Sequence, residues 1–180
     1  MPTEDGQFGY GGDTLNTAIY MARENTHPGA QISYVTALGT DGLSEQMLAG
    51  WRSEGIDTSL VTRLPDALPG FYVIQTDAQG ERTFLYWREQ AAVRRLLDEG
   101  RHDELHTSLE RYDLLYLTGI TLAIFHDARR DKLLSLIEQC AQAGIAIAFD
   151  TNFRPRLWPD VDAAREAYAR VGRACRFALP

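Results

Sequence analysis

Two cysteines, Cys140 and Cys175, are all that the 180 residues carry, and no spacing of Cys, His or acid in the chain matches a metal-ligand set. Cys140 falls on the apolar stripe of a predicted helix, the setting of a buried, inert thiol. Cysteine use this sparse fits a reducing cytoplasm, which is the expected location. The four histidines (His27, His102, His106 and His126) form no cluster, and no serine sits in a nucleophile elbow. No run of Lys and Arg stands out in a chain of net charge -7, which argues against a nucleic acid as main partner. Any anionic ligand must therefore be held by individually placed arginines. No signal peptide is visible and no apolar run is long enough to span a bilayer, so no membrane partner is expected. Repeats, low-complexity tracts and linkers are also missing.

What is present is an alternation of short apolar runs and helical stripes, with 44% of residues hydrophobic. "TLNTAIYMARE" places Leu15, Ile19 and Ala22 at helical spacing. "QISYVTALG" reads as one buried strand ending at Gly39. "LSEQMLAGWRSEG" follows as a helix with Met47, Leu48 and Trp51 on one face and Gly55 as a left-handed stop. "DLLYLTGI" is a second strand. "DARRDKLLSLIEQCAQAG" is the clearest helix, with Leu133, Leu134, Ile137, Cys140 and Ala141 in its stripe and Gly144 at its end. "IAIAFD" is a continuous apolar strand, "DVDAAREAYARVGRAC" a further helix, and "RFAL" the start of another strand. Strand and helix alternating in this way imply an α/β fold with mostly parallel strands and helices on both faces. "FYVIQTDAQGERTFLYWR" breaks the rhythm: two alternating runs around "DAQG" predict an antiparallel hairpin, about residues 70–88, inserted into the α/β domain.

In an open parallel sheet, ligands bind beyond the carboxyl ends of the strands. Three such ends are readable: "ALGTDG" (Ala37 to Gly42), "LTGIT" (Leu117 to Thr121) and "FDTNFRPRLW" (Phe149 to Trp158). The third delivers Asp150, Asn152 and Arg154 into a loop that Pro155 keeps from becoming helix at once. These side chains offer acceptors, an amide and a planar cation able to grip a carboxylate or phosphate with two bonds. The alternative is that Asp150 and Arg154 simply pair with each other. On the hairpin, period two puts Phe84, Tyr86 and Arg88 on one face and Leu85 and Trp87 on the other, with Tyr72 in the facing run. That face suits a polar, acidic small molecule, or is only solvated. Near the start, Gly11 and Gly12 precede Asp13 and Asn16 at a helix start. No preceding strand supports a dinucleotide fingerprint, and no Gly-Lys-Ser/Thr supports a P-loop. What is left is a backbone cradle for hydroxyl groups, or plain N-capping by Asp13 or Thr14.

Taken together, "GGDTLNTAIYMA" and "YVTALGTDGLSEQMLAGWRSEGIDTSLV" resemble the ribokinase-like carbohydrate kinases. "LPGFYVIQTDAQGERTFLYWR", "YDLLYLTGITLAI" and "FDTNFRPRLWPD" are closer still to members that phosphorylate the sugar acid 2-keto-3-deoxygluconate. The resemblance implies a Rossmann-like ribokinase fold with a small β lid, and transfer of the ATP γ-phosphoryl group to a sugar hydroxyl with Mg²⁺. By position, it implies that Gly11, Gly12, Asp13 and Asn16 contact the sugar acid. Tyr72, Tyr86 and Arg88 would reach it from the lid, Arg154 would hold its carboxylate, and Asn152 would lie nearer the nucleotide. The expected partner is a small sugar acid, and the family allows a homo-oligomer. The resemblance also implies a strand before the Gly-Gly loop and, after the last strand, a Gly-Ala-Gly-Asp motif that holds the general base. Neither is found in the sequence. The expectation is thus an incomplete fold, residues 1–180 as one partial α/β domain, with no catalytic base and no activity alone. A kinase of another sugar, such as fructose or ribose, and a non-catalytic remnant are the competing readings.

Overall fold

The computed structural model of the chain describes residues 9–77, 79–98 and 100–180. The opening "MPTEDG", where no strand is expected ahead of the glycine loop, lies outside the described residues, as do Gln7 and Phe8. Helix α1 (Asp13–Glu24) leads into strands β1 (Ile32–Ser33) and β2 (Thr36–Leu38), helix α2 (Gly42–Ser53), and strands β3 (Ile56–Asp57) and β4 (Val61–Arg63). A hairpin of β5 (Phe71–Thr76) and β6 (Arg82–Trp87) follows, then a 3-10 turn at Ala92–Arg95 and helix α3 (Arg101–Leu109). The remainder runs β7 (Leu114–Thr118), α4 (Gly119–Ile124), α5 (Asp127–Gln142), β8 (Ala146–Asp150), a second 3-10 turn at Pro155–Leu157, α6 (Val161–Ala174) and β9 (Phe177–Leu179).

Outside the hairpin every named strand pair is parallel: β1 with β3, β2 with β4, and β7–β8–β9 in that order. Strand β2 shows how helices come to lie on both faces. Its successive residues point to opposite sides, as the pleat requires. Ala37 enters a core built on α4, α5 and α6, while Leu38 enters a second core with Leu15, Leu48 and Trp51 of α1 and α2. In the larger core Leu133, Leu134, Ile137 and Cys140 of α5 are buried, as their spacing predicts, and Ala141 packs at its edge. Ala22 and Met47 are partly buried against the smaller core. Gly55 and Gly144 stop α2 and α5 at φ 82° and 94°, in the left-handed region glycine occupies without strain.

The single strand expected over "QISYVTALG" is instead two short pieces, β1 and β2. The reason lies in the neighbouring chain. Between β3 and β4, Asp57 accepts a bond from the Ser59 amide at 2.9 Å, and the Val61 amide closes onto the Thr58 carbonyl at 3.1 Å. This side-chain-stabilised turn interrupts the partner, so the ladder is interrupted opposite it. Helices α3 and α4 and the pair β3 and β4 were not anticipated. The hairpin forms as expected, with six residue pairs from Phe71↔Trp87 to Thr76↔Arg82. Its turn uses Asp77, whose Oδ1 accepts from the amides of Gln79 and Glu81 at 2.9 Å each, and Gly80 at φ 85°. Ala78, within that turn, lies outside the described residues.

Burial is uneven. Ile147 of β8 is 0% exposed, whereas Phe84 of β6 is 44% exposed. The fold's stability is therefore expected to sit in the parallel part. Ile147→Ala should cost about 2–5 kcal/mol in equilibrium urea unfolding, and Phe84→Ala at most about 1 kcal/mol. Equal losses at the two sites would contradict this distribution.

Candidate functional site

Three segments meet at the start of α1. Gly12 occupies the N-cap position in an extended conformation and makes no side-chain cap bond. Asp13, the first helical residue, is thus free to turn its carboxylate elsewhere. Its Oδ2 accepts from the Thr118 hydroxyl at 2.5 Å and from the Asn152 side-chain amide at 3.2 Å. Only its Oδ1 stays local, accepting the Thr14 amide at 2.8 Å. Neither Asp13 nor Thr14 caps α1 in the ordinary way, so the plain N-capping alternative does not describe this loop.

Thr118 ends β7 and is fully buried. Its hydroxyl also accepts from the amides of Ile120 and Thr121, which caps α4. The next residue, Gly119, lies so close to the β8 loop that a Cβ there would stand 2.1 Å from the Thr151 carbonyl oxygen. Only glycine lets these two strand ends approach so closely. On the β8 side, Asp150 accepts from the Asn152 amide at 3.0 Å and from the Tyr116 hydroxyl at 3.3 Å. Asn152 itself is held at φ 27°, an uncommon conformation for a residue other than glycine. Tyr168 of α6 donates to the Thr151 carbonyl at 2.6 Å, fixing the same loop from below.

The hairpin contributes the opposite wall. A Cβ on Gly11 would stand 3.5 Å from the Tyr72 hydroxyl and 3.7 Å from Asn16 Oδ1. Tyr72 thus lies over the glycine loop and near Asn16. Tyr72 pairs directly with Tyr86 across the strands, with ring centroids 6.1 Å apart. The Arg88 guanidinium lies 4.3 Å from the Tyr86 ring centre and 5.5 Å from that of Tyr72. The expected face of Phe84, Tyr86 and Arg88 is present, and Tyr72 joins it. Phe84 stacks on Tyr86 at 6.2 Å.

Gly11, Asn16 and Tyr72 are therefore brought together, as are Tyr72, Tyr86 and Arg88, and as are Asp13 and Asn152. Gly12 adjoins them at the helix start. Arg154, at the N-cap of the second 3-10 turn, is exposed and has no ion-pair partner among the described residues. Its alternative role as the counter-ion of Asp150 is not seen, since Asp150 is engaged by Tyr116 and Asn152. Sequence reading missed Thr118 as an individual residue, although it lies in the strand end "LTGIT". Its importance rests on a contact 105 residues away in the chain.

Among the described residues no group of three His, Cys, Asp or Glu side chains could hold a metal ion. The Asn152 amide nitrogen is committed to Asp13.

Burial pushes three tyrosines of this region, Tyr34, Tyr116 and Tyr168, above the ordinary phenol value. Each holds its proton more tightly folded than unfolded. The stability this confers is complete below about pH 10 and declines as pH rises through the folded values. Urea titrations between pH 8 and pH 11 should show a falling midpoint over the upper part of that range, and a flat profile would contradict the burial. The Asp13 contacts are tested by a double-mutant cycle. Asp13→Ala and Thr118→Val should couple by about 1–3 kcal/mol in unfolding free energy, whereas simple additivity would mean the bond contributes nothing.

Comparison with known proteins adds an independent line. A family model described as pfkB family carbohydrate kinase matches residues 2–180. A 2-dehydro-3-deoxygluconokinase of Dickeya dadantii is 47% identical over 161 residues, covering 89% of this chain and 52% of that protein. A protein of the same description from Escherichia coli K12 is 46% identical over 167 residues, covering 93% and 54%. Among solved structures, a PfkB protein from Polaromonas sp. JS666 superposes with a TM-score of 0.78 at 27% identity, covering 93% of this chain and 54% of that one. The chain spans about half the length of the curated relatives it matches.

Proposed function

The chain belongs to the pfkB family of carbohydrate kinases, and on that premise we propose that its residues form the sugar-acid side of a kinase acting on 2-keto-3-deoxygluconate, also called 2-dehydro-3-deoxygluconate. The relatives at 46–47% identity carry that activity in their descriptions. The observation that carries the reading to this chain is the approach of the hairpin to the glycine loop. The Tyr72 hydroxyl over Gly11 brings the aromatic, cationic lid face up to the polar backbone cradle.

In this reading the division of work follows from chemistry. Gly11 and Gly12 let the ligand meet the main chain, and Asn16 offers an amide to sugar hydroxyls. The Asp13 carboxylate has one oxygen already shared by Thr118 and Asn152, so it meets the sugar through Oδ1 alone and chiefly fixes the cradle. Tyr72 and Tyr86 supply hydroxyls and flat surface. Arg88 and Arg154 read the carboxylate. Neither has a carboxylate partner among the described residues, in a chain of net charge -7. Two such arginines favour an acidic sugar over the neutral fructose or ribose of the competing reading. Asn152 stands on the side where the nucleotide would lie, linked to the cradle through Asp13. ATP is the phosphoryl donor in this reading, with Mg²⁺ to neutralise its phosphates. The 180 residues contain no Gly-Ala-Gly-Asp run, so binding, rather than turnover, is the measurement suited to this chain.

Titration calorimetry of the chain with 2-keto-3-deoxygluconate should give saturable binding. Arg154→Ala should weaken it about tenfold to a few hundredfold, the worth of a bond to a charged group. Arg154→Lys should fall between, since lysine keeps the charge and loses the planar fork. A neutral analogue lacking the carboxylate should lose little in either variant. If acid and neutral ligands weaken equally, Arg154 orders the loop and does not read the substrate.

A further inference from the structure

Two adjoining cavities, about 850 and 650 Å³, share Arg95, His126 and Arg129 and form one groove beside the hairpin. Of the residues assigned to the sugar acid, only Tyr86 and Arg88 border it, at one end. The larger cavity is walled by Leu68, Pro69, Phe71, Trp87 and Phe125 and carries Arg94; the smaller carries Arg101 and Lys132, the chain's one lysine.

The charges of this groove are incompletely matched. Arg95 pairs with Asp66 at 3.0 Å and with Asp98 at 3.6 Å, and Arg129 pairs with Asp98 at 2.8 Å. Three cations have no carboxylate among the described residues. Arg94 uses its Nε on the Arg88 carbonyl at 3.1 Å, and Lys132 reaches only the Leu97 carbonyl at 3.5 Å. Arg101 has a buried Nη1 with no hydrogen-bond partner. The other acids of the walls, Glu89 and Asp127, are exposed. The same groove receives the start of α5, a sixteen-residue helix whose N-cap residue, His126, makes no side-chain bond to the leading amides. Asp127, the first residue of that helix, sits at φ 50°.

We propose that this groove is a second ligand site, which takes a small phosphomonoester. Its phosphate would lie between Arg101, Lys132 and the leading amides of α5, and its organic body along the Trp87 and Phe125 wall. The Arg129 amide already donates to the His126 carbonyl at 3.1 Å, which leaves the amides of Asp127 and Ala128; unpaired guanidinium and ammonium groups beside such helix-terminal amides are the setting that favours a compact dianion over a neutral sugar. The groove's volume suits a metabolite, not a polymer. The site stands apart from the sugar-acid reading, which supplies only the choice of probe.

The experiment is titration calorimetry of the 180-residue chain with 6-phosphogluconate, gluconate and inorganic phosphate. Saturable binding of 6-phosphogluconate is expected, with gluconate at least about tenfold weaker because it lacks the phosphate. Lys132→Ala and Arg94→Ala should each weaken 6-phosphogluconate by about tenfold, a larger loss than Arg154→Ala causes. Lys132 is exposed, so its variant tests the site even if a change at the more buried Arg101 disturbs folding. The proposal is overturned if no probe carrying phosphate saturates, if both Lys132→Ala and Arg94→Ala bind as the parent does, or if only Arg154→Ala loses binding. The last result would put the ligand in the sugar-acid cradle. Failure of 2-keto-3-deoxygluconate to bind, with 6-phosphogluconate binding retained, would remove the sugar-acid reading and leave this site standing.

Discussion

The carboxylate of Asp13 is the interaction on which the site depends. It is a single side chain at the first turn of α1, yet it accepts bonds from the end of β7 and from the loop after β8. Parallel strands are delivered to a common edge by their crossover helices, but nothing in that topology aligns their last residues to within an ångström. A charged acceptor shared by two donors does so. Bonds to an ionised group are stronger than neutral ones, and Thr118 is fully buried, so an unmatched hydroxyl there would be costly. The Asn152 backbone, held at φ 27°, depends on this bond and on Asp150 together. The strain in that loop is offset by the bonds around it.

The two walls of the site are built in different ways. The cradle wall stands on buried strand ends and on Gly119, where the backbones of the β7 and β8 loops nearly touch. The hairpin wall has no comparable burial: every residue of β6 is exposed. It keeps its shape through its own six-pair ladder and through the stack of Phe84, Tyr86 and Arg88. Cation and ring attract each other without help from a core. A wall organised in this way can present its polar face before any ligand arrives, while its seating on the cradle relies on few contacts, among them Tyr72 over Gly11.

Much of this was legible in the sequence, for reasons that differ by element. Helices α1, α2, α5 and α6 show their stripes because each buries one face against a core. The hairpin shows because "DAQG" separates two alternating runs. The strand over "QISYVTALG" was read too long, because what interrupts it is a turn in its neighbour, held by Asp57 and Ser59. Helix α3, "RHDELHTSL", buries only Leu109 and so carries almost no stripe to read. The residues of the candidate site were found as types at a helix start, on one hairpin face and at one strand end. Their partnerships were not, because Asp13 to Thr118 and Asp13 to Asn152 span 105 and 139 positions. Local pattern cannot tell a capping aspartate from one that reaches across the fold.

The arginines show the same divide between residue type and placement. In this acidic chain Arg23, Arg63, Arg95, Arg129, Arg165 and Arg170 find carboxylates. Those pairs are mostly exposed and contribute little to stability. In the proposed reading, the arginines that recognise the ligand are among those left over. Arg88 rests on tyrosine rings, and Arg154 is exposed at the N-cap of a short turn behind Pro155. Leaving them unpaired costs the fold nothing while they remain in water. It also means that a bound carboxylate need not displace a protein partner before it can bond to them. Selectivity for an acidic ligand can thus arise in a protein whose overall field repels anions, because at contact distance two guanidinium groups outweigh charges that salt screens beyond about 8–10 Å.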